Sequence, residues 1–337
     1  MPVLNPGKAM RRREFIKLVS AAATAWPLAA RAQQPAKVPH IGILWHAANA
    51  EQEGTNYKAI VKGFADIGYI DGKTVTLEHR FPNEQPAQFR SMASELVASG
   101  VDVLVVIGAN APPYAKEATK TIPIVFALMP DPIGSKLVNN LARPEANVTG
   151  LSNSASDIVG KRLALFKEVI PALSRVALLV NSNSSLAAGY EQGFQAAAAS
   201  LGLSGKVFTW RAPDELISIF AAMKDGGIQA VMFNPDGWAF TYRDLIAKLA
   251  LAKGLPLSAY SRQTFNAGAL MSYGVDHDAI CYRVAVYVDK LLKGTKPSEL
   301  PVEQPTKFEF LINLNTARAL GLTVPPSLLL RTDEVIE

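Results

Sequence analysis

From residue 38 onward the chain alternates short apolar runs, rich in β-branched residues, with longer stretches whose apolar positions recur at helical spacing. The runs at 38–45, 74–81, 101–107, 122–128, 175–180, 206–210, 230–233, 255–260 and 269–273 predict strands. Two of them, 101–107 (VDVLVVI) and 175–180 (RVALLV), are almost continuously apolar, the pattern of parallel strands covered on both faces. Helices are predicted near 52–68, 86–99, 111–119, 156–170, 185–201, 213–225, 239–253 and 277–293. The last shows the period plainly, with Ile280, Val284, Val288 and Leu291 on one face and Gly294 as a stop. Repeated strand–helix alternation predicts an α/β protein built of doubly wound, Rossmann-like layers.

The alternation breaks at the turn-rich Arg143-Pro144-Glu145-Ala146 and the following 147–152 (NVTGLS), which reads as a crossing between two halves of about four strands each. The segment from Gly268 is expected to return to the first half and cross again near 304–310. The expected organisation is a first lobe of residues 33–150 plus 268–305 and a second of 151–267 plus 306–337, joined by several hinge strands across a cleft.

Charge changes the picture only at the N-terminus. The chain carries 34 Lys and Arg against 29 Asp and Glu, a formal +5. Residues 1–32 hold six of the basic residues and one acid, so the remainder balances at 28 against 28. A neutral body gives no footprint for nucleic acid or an anionic membrane. The basic start, the apolar stretch 18–30 (LVSAAATAWPLAA) and Ala30-Arg31-Ala32 are the three parts of a cleavable signal peptide spanning residues 1–32. That stretch is shorter than the ~20 residues of a membrane span. Arg12-Arg13-Glu14-Phe15-Ile16-Lys17 is similar to the twin-arginine export motif, although general export and a start at Met10 stay open. Cys281 is the only cysteine and lies far from the cleavage site, which excludes an internal disulfide and a lipid-anchored mature N-terminus. The mature protein is expected to be a soluble periplasmic monomer.

Catalytic constellations are missing. His40, His46, His79 and His277 are scattered without metal-ligand spacing, and no G-x-S-x-G elbow occurs. Gly72-Lys73-Thr74 has Ile67 where a phosphate loop needs glycine, and no G-x-G-x-x-G follows the first strand. No catalytic residue, metal or cofactor is predicted. Ligand capture is the reading that remains; a periplasmic sensing module for a membrane receptor and an exported α/β enzyme are its alternatives.

A resemblance sharpens it. Residues 131–152 (DPIGSKLVNNLARPEANVTGLS) and 267–274 (AGALMSYG) resemble blocks of a bacterial family of ABC-transporter substrate-binding proteins related to tryptophan and tyrosine uptake, long labelled a domain of unknown function. Residues 287–337 are similar almost residue for residue, and the likeness spans 37–337. It implies a type I periplasmic-binding-protein fold that closes on a small ligand, an amino acid or a related compound. That ligand would pass to an inner-membrane permease powered by a separate ATPase.

Ligands of open α/β sheets bind beyond the carboxyl ends of the strands, so the loops there supply the candidates. In the first lobe these are Trp45 and His46, then Gly108, Ala109, Asn110 and Ala111, then Met129 and Asp131. In the second they are Asn181, Asn183, Asn234, Asp236, Tyr260 and Tyr273. Each has a plainer role open to it. Trp45 suits a buried sheet face, Asn110 a helix cap, Asp131 and Asp236 ordinary turns, and the two tyrosines hinge packing. The resembling family more often has Thr-Pro where Ala109-Asn110 stand. An amino-acid-like ligand is expected to set its carboxylate near residues 108–111 and its ammonium near Asp236.

Overall fold

Two sheets, each covered by helices on both faces, organise residues 37–337, which are the residues described by the computed structural model. The expected export signal lies outside them. The first sheet is wholly parallel and takes the order β2-β1-β3-β4-β5. Its strands are β1 (His40–Leu44), β2 (Thr76–Arg80), β3 (Val103–Ile107), β4 (Ile124–Met129) and β5 (Val148–Ser152). The helices interleaved with them are α1 (Ala50–Glu53), α2 (Thr55–Asp66), α3 (Pro86–Ala98) and α4 (Ala111–Ala118).

The second sheet contains β6 (Arg175–Asn181), β7 (Ser204–Trp210), β8 (Ala230–Phe233), β9 (Leu257–Ala259), β10 (Met271–Gly274), β11 (Glu309–Asn313) and β12 (Glu334–Ile336). Their order is β12-β11-β10-β9-β8-β6-β7, with β10 and β11 antiparallel and the other pairs parallel. The remaining helices are α5 (Val159–Val169), α6 (Ala187–Ser200), α7 (Glu215–Asp225), α8 (Gly237–Thr241), α9 (Arg243–Ala252), α10 (Arg262–Asn266), α11 (His277–Leu292), α12 (Leu314–Ala319) and α13 (Pro326–Leu329).

The continuously apolar runs are the interior strands β3 and β6, buried throughout except for Arg175 at the start of β6. Alternate residues serve opposite faces: Ile41, Ile43 and Trp45 join the core under α2 and α11, while Leu44 joins the core under α3 and α4. Two further cores cover the faces of the second sheet. Helix α11 packs on α2 at unusually close range, because a Cβ on Gly63 would lie 2.2 Å from the Tyr282 carbonyl oxygen.

The lobe boundaries differ from the expected ones at two places. Residues 148–152, expected to be a crossing, form edge strand β5, and the chain crosses in 153–158. The strand at 271–274, expected in the first lobe, pairs with β9 and β11 in the second sheet. A strand that follows β9 after one short helix returns most simply to the same sheet beside it. The chain therefore crosses only after Gly274, adds α11 and residues up to Glu303 to the first lobe, and crosses back before β11. Glu303 ties that third crossing to the first through bonds with Gly150 and Ser152.

Candidate ligand-binding site

The carboxyl ends of both sheets face one another across a tight cavity of about 30 Å³ between the lobes, well below the ~300–1,000 Å³ of open ligand pockets. The first lobe supplies His46 after β1, Gly108 and Ala109 after β3, and Leu128 and Pro130 around the end of β4. Asn56 of α2 and His277, the first residue of α11, close the sides. The second lobe supplies Pro235, Asp236 and Gly237 after β8, Phe240 of α8, and Tyr260 after β9. The lobes are in contact here: the His46 and Phe240 rings meet edge to face at 5.3 Å.

Charge is concentrated on the first-lobe wall. His46 is held between two buried carboxylates, Nε2 lying 3.3 Å from Glu53 and Nδ1 3.1 Å from Glu84. Burial alone would lower the imidazole pKa, but the Glu53 charge and the Glu84 contacts outweigh it and raise the value to about 9. The imidazolium is thus spent on its own carboxylates. Glu53 also accepts the His46 and Ala47 N–H groups at 3.1 and 2.9 Å, and Glu84 accepts from the Asn110 side chain at 2.8 Å.

Opposite stands Asp236. Its Oδ1 caps α8 by accepting from Ala239 N–H at 2.9 Å, while Oδ2 is buried without a hydrogen-bond partner among the described residues. Burial pushes its pKa up to about 7, against the pull of the Ala239 bond and with a further push from Glu84. Such an atom awaits a donor. Burial likewise holds His277 near pKa 4, so that ring is neutral.

At the third corner, Asn110 precedes α4 but makes no side-chain cap, because its amide is turned to Glu84. The Ala109 N–H beside the cavity finds no acceptor among the described residues, while α4 behind it has few donors of its own because Pro112 and Pro113 stand in its first turn. The Asn56 Nδ2 is a second buried donor without a partner. An unsatisfied carboxylate facing unsatisfied donors suits a ligand that carries both an ammonium and an acidic or carbonyl oxygen.

Residues 46–336 match the family model of the ABC transporter substrate-binding proteins. The chain belongs to that family. A tyrosine-binding protein of Clostridioides difficile (strain R20291) is 25% identical over 271 residues, which are 79% of this chain and 76% of the relative. A Streptococcus pneumoniae ABC domain solved with L-Trp superposes with TM-score 0.81 at 27% identity, covering 88% of this chain and 99% of that one. A conserved domain protein of Vibrio cholerae gives TM-score 0.83 at 26% identity, covering 89% and 100%.

In this substrate-binding protein, five of the candidates meet at the cavity: His46, Gly108, Ala109, Asp236 and Tyr260. Tyr260 donates to the Asp236 carbonyl at 3.3 Å. Asn110 and Asn183 line a neighbouring recess at the cleft mouth, together with Glu84 and Trp238. The other candidates serve the scaffold. Trp45 points into the first core, where its indole N–H donates to His79 at 3.0 Å and its ring stacks on Phe81. Ala111, the first residue of α4, is buried in the core that α3 and α4 cover. An irregularity in the β4–β5 register gives Leu128 a φ of +60° and a place at the cavity, and sends Met129 into the core beneath α3 and α4. Asp131 accepts from Gly134 N–H at 2.7 Å in a turn. Asn181 orders its own loop by accepting from Asn183 N–H, Asn234 is buried with its side chain favouring the ionised form of Asp236, and Tyr273 stacks on Phe308.

Sequence reasoning missed Glu53, Glu84, Asn56, Leu128, Asn153, Phe240 and His277. Glu84, Asn153 and His277 follow β2, β5 and β10, so the strand-end rule reaches them when applied to every strand. The others have no local signal.

Proposed function

We propose that this chain is the extracytoplasmic solute-binding component of an ABC importer, exported by residues 1–32, and that it captures a small zwitterion, an amino acid or a related compound. The observation that carries this reading is the unpaired, buried Asp236 carboxylate oxygen that shares one inter-lobe cavity with the Ala109 backbone and the unpartnered Asn56 amide nitrogen. The ligand ammonium bonds Asp236, and its carboxylate takes the free N–H of Ala109 and the Asn56 amide. Capture needs no chemical conversion; ligand contacts from both lobes favour the closed form, which docks on a permease served by a separate ATPase. The named ligands of the relatives, tyrosine and tryptophan, support the amino-acid class.

The test is a thermal-shift and calorimetric panel of the common amino acids, with small carboxylates and purines as controls. A ligand at 100 times its Kd adds about 2.7 kcal/mol of stability. Stabilisation by one or a few amino acids is expected. A panel in which no amino acid stabilises the protein rejects the reading.

A further inference from the structure

Outside the cavity, one set of polar contacts joins the lobes. Gln263 lies on α10 of the second lobe, and its side-chain nitrogen donates to Thr55 Oγ1 at 3.0 Å, Asn56 Oδ1 at 3.1 Å and Asp278 Oδ1 at 2.9 Å. All three acceptors belong to the first lobe, on α2 and α11. A primary amide nitrogen has two hydrogens, so three acceptors share them and the donor capacity is saturated.

We infer that Gln263 is the closure latch, and that it reads the ligand through the Asn56 side chain. The inference rests on the zwitterion reading above. A planar amide has an oxygen edge and a nitrogen edge. With Asn56 Oδ1 held by Gln263, the Nδ2 edge is left buried, unpartnered and beside the cavity. In an open protein the Asn56 amide is free to turn either edge toward the cleft. A ligand oxygen that accepts from Nδ2 selects the one orientation that presents Oδ1 to Gln263, so ligand contact and latch formation stabilise each other. A ligand group that donates there turns the amide round and sets Nδ2 against the Gln263 nitrogen; the Gln263 amide, whose Oε1 is buried and unpartnered, cannot follow without setting that oxygen against the Asp278 carboxylate. The consequence is a chemical requirement: a closing ligand presents a hydrogen-bond acceptor to Asn56, and an amine that lacks one binds without closing the lobes.

The experiment uses the full mature chain, with closure read by the small-angle scattering radius and dissociation by stopped flow. The probes are L-tyrosine or L-tryptophan, whichever stabilises the parent more, and the matching amine, tyramine or tryptamine. For the parent, the amino acid is expected to compact the protein and the amine to leave it extended. Gln263→Glu removes both donor hydrogens and sets a carboxylate against Asp278. Its binding is expected to weaken about 10- to 100-fold, mostly through faster dissociation, with the ligand-free melting temperature unchanged because the side chain is only half-buried. Gln263→Lys, which restores donors beside Asp278, is expected to recover slow dissociation. Equal compaction and dissociation in Gln263→Glu and parent, or compaction by the amine, overturns the latch while amino-acid capture stands. A parent that neither amino acid stabilises removes the zwitterion reading for these probes and the latch with it.

Discussion

The Asp236 carboxylate is built to bind at a cost to the empty protein. Its pKa of about 7, raised chiefly by burial, lies above the ordinary 3.8. Between those values the native state keeps a proton that the unfolded chain gives up, so this group's contribution to stability falls as pH rises from about 4 to 7. An ammonium ligand needs the ionised form. Affinity is therefore expected to rise with pH through about 7 and level off above it, with proton release on binding near neutrality, measurable by calorimetry in buffers of different ionisation heat. Asp236→Asn is expected to bind at least about tenfold more weakly and lose that pH profile. At pH 8 its ligand-free form is expected to melt no lower than the parent. His46 behaves in the opposite sense. Its folded value of about 9 exceeds the ordinary 6.5, so the stability it contributes is present below about 6.5 and is lost as pH rises through 9. Urea midpoints for parent and His46→Gln at pH 6 and pH 9.5 are expected to differ more at the lower pH. The imidazole could be nominated from its place after a strand. Of its two carboxylate partners, Glu84 follows β2 and is open to the same rule, whereas Glu53 arrives on α1 and carries no such mark.

At the scale of elements, the hydrophobic period located most of the strands and helices because burial on both faces leaves a strong mark. It did not separate a crossing from a strand in 148–152, where threonine and glycine dilute the apolar signal although all five residues are buried. Nor did it assign β10, since a four-residue strand reads the same in either sheet. The α2–α11 contact carries a prediction that the helical pattern alone does not. With backbone 2.2 Å from a Cβ at Gly63, no side-chain rotation relieves the clash. Gly63→Ala is expected to cost about 2 kcal/mol, within the range for overpacking, and so to reverse the gain that alanine normally brings to a helix interior. Denaturant unfolding measures the sign directly.

The whole molecule adds closure. The lobes approach so closely that a Cβ on Gly237 would sit 1.5 Å from Glu84 Oε1 and 3.0 Å from His46 Nδ1. Glu84 has little room to retreat, because Asn110 and His46 hold its carboxylate and its own N–H bonds the His46 carbonyl at 2.8 Å. Gly237→Ala is therefore expected to leave each lobe folded and to prevent full approach. Melting temperature should change little, ligand affinity should fall at least about tenfold, and the scattering radius should no longer shrink when the best ligand of the parent is added. A variant that binds and compacts like the parent would show that the closed contact is not needed.

The sequence by itself determined the α/β class, the two-lobed plan, the formally neutral body and the strand ends at which a ligand would sit. These follow from local period, charge and the rule that parallel sheets bind at their carboxyl ends, all of which are written in neighbouring residues. Only the tertiary structure decided which of those loops share a cavity, that Trp45 and Met129 face the core, and that one Asp236 carboxylate oxygen stands unpaired in the cavity it shares with Asn56. Those outcomes depend on side-chain direction and on partners as distant as Asn56 and Gln263, and such long-range juxtaposition leaves no periodic trace along the chain.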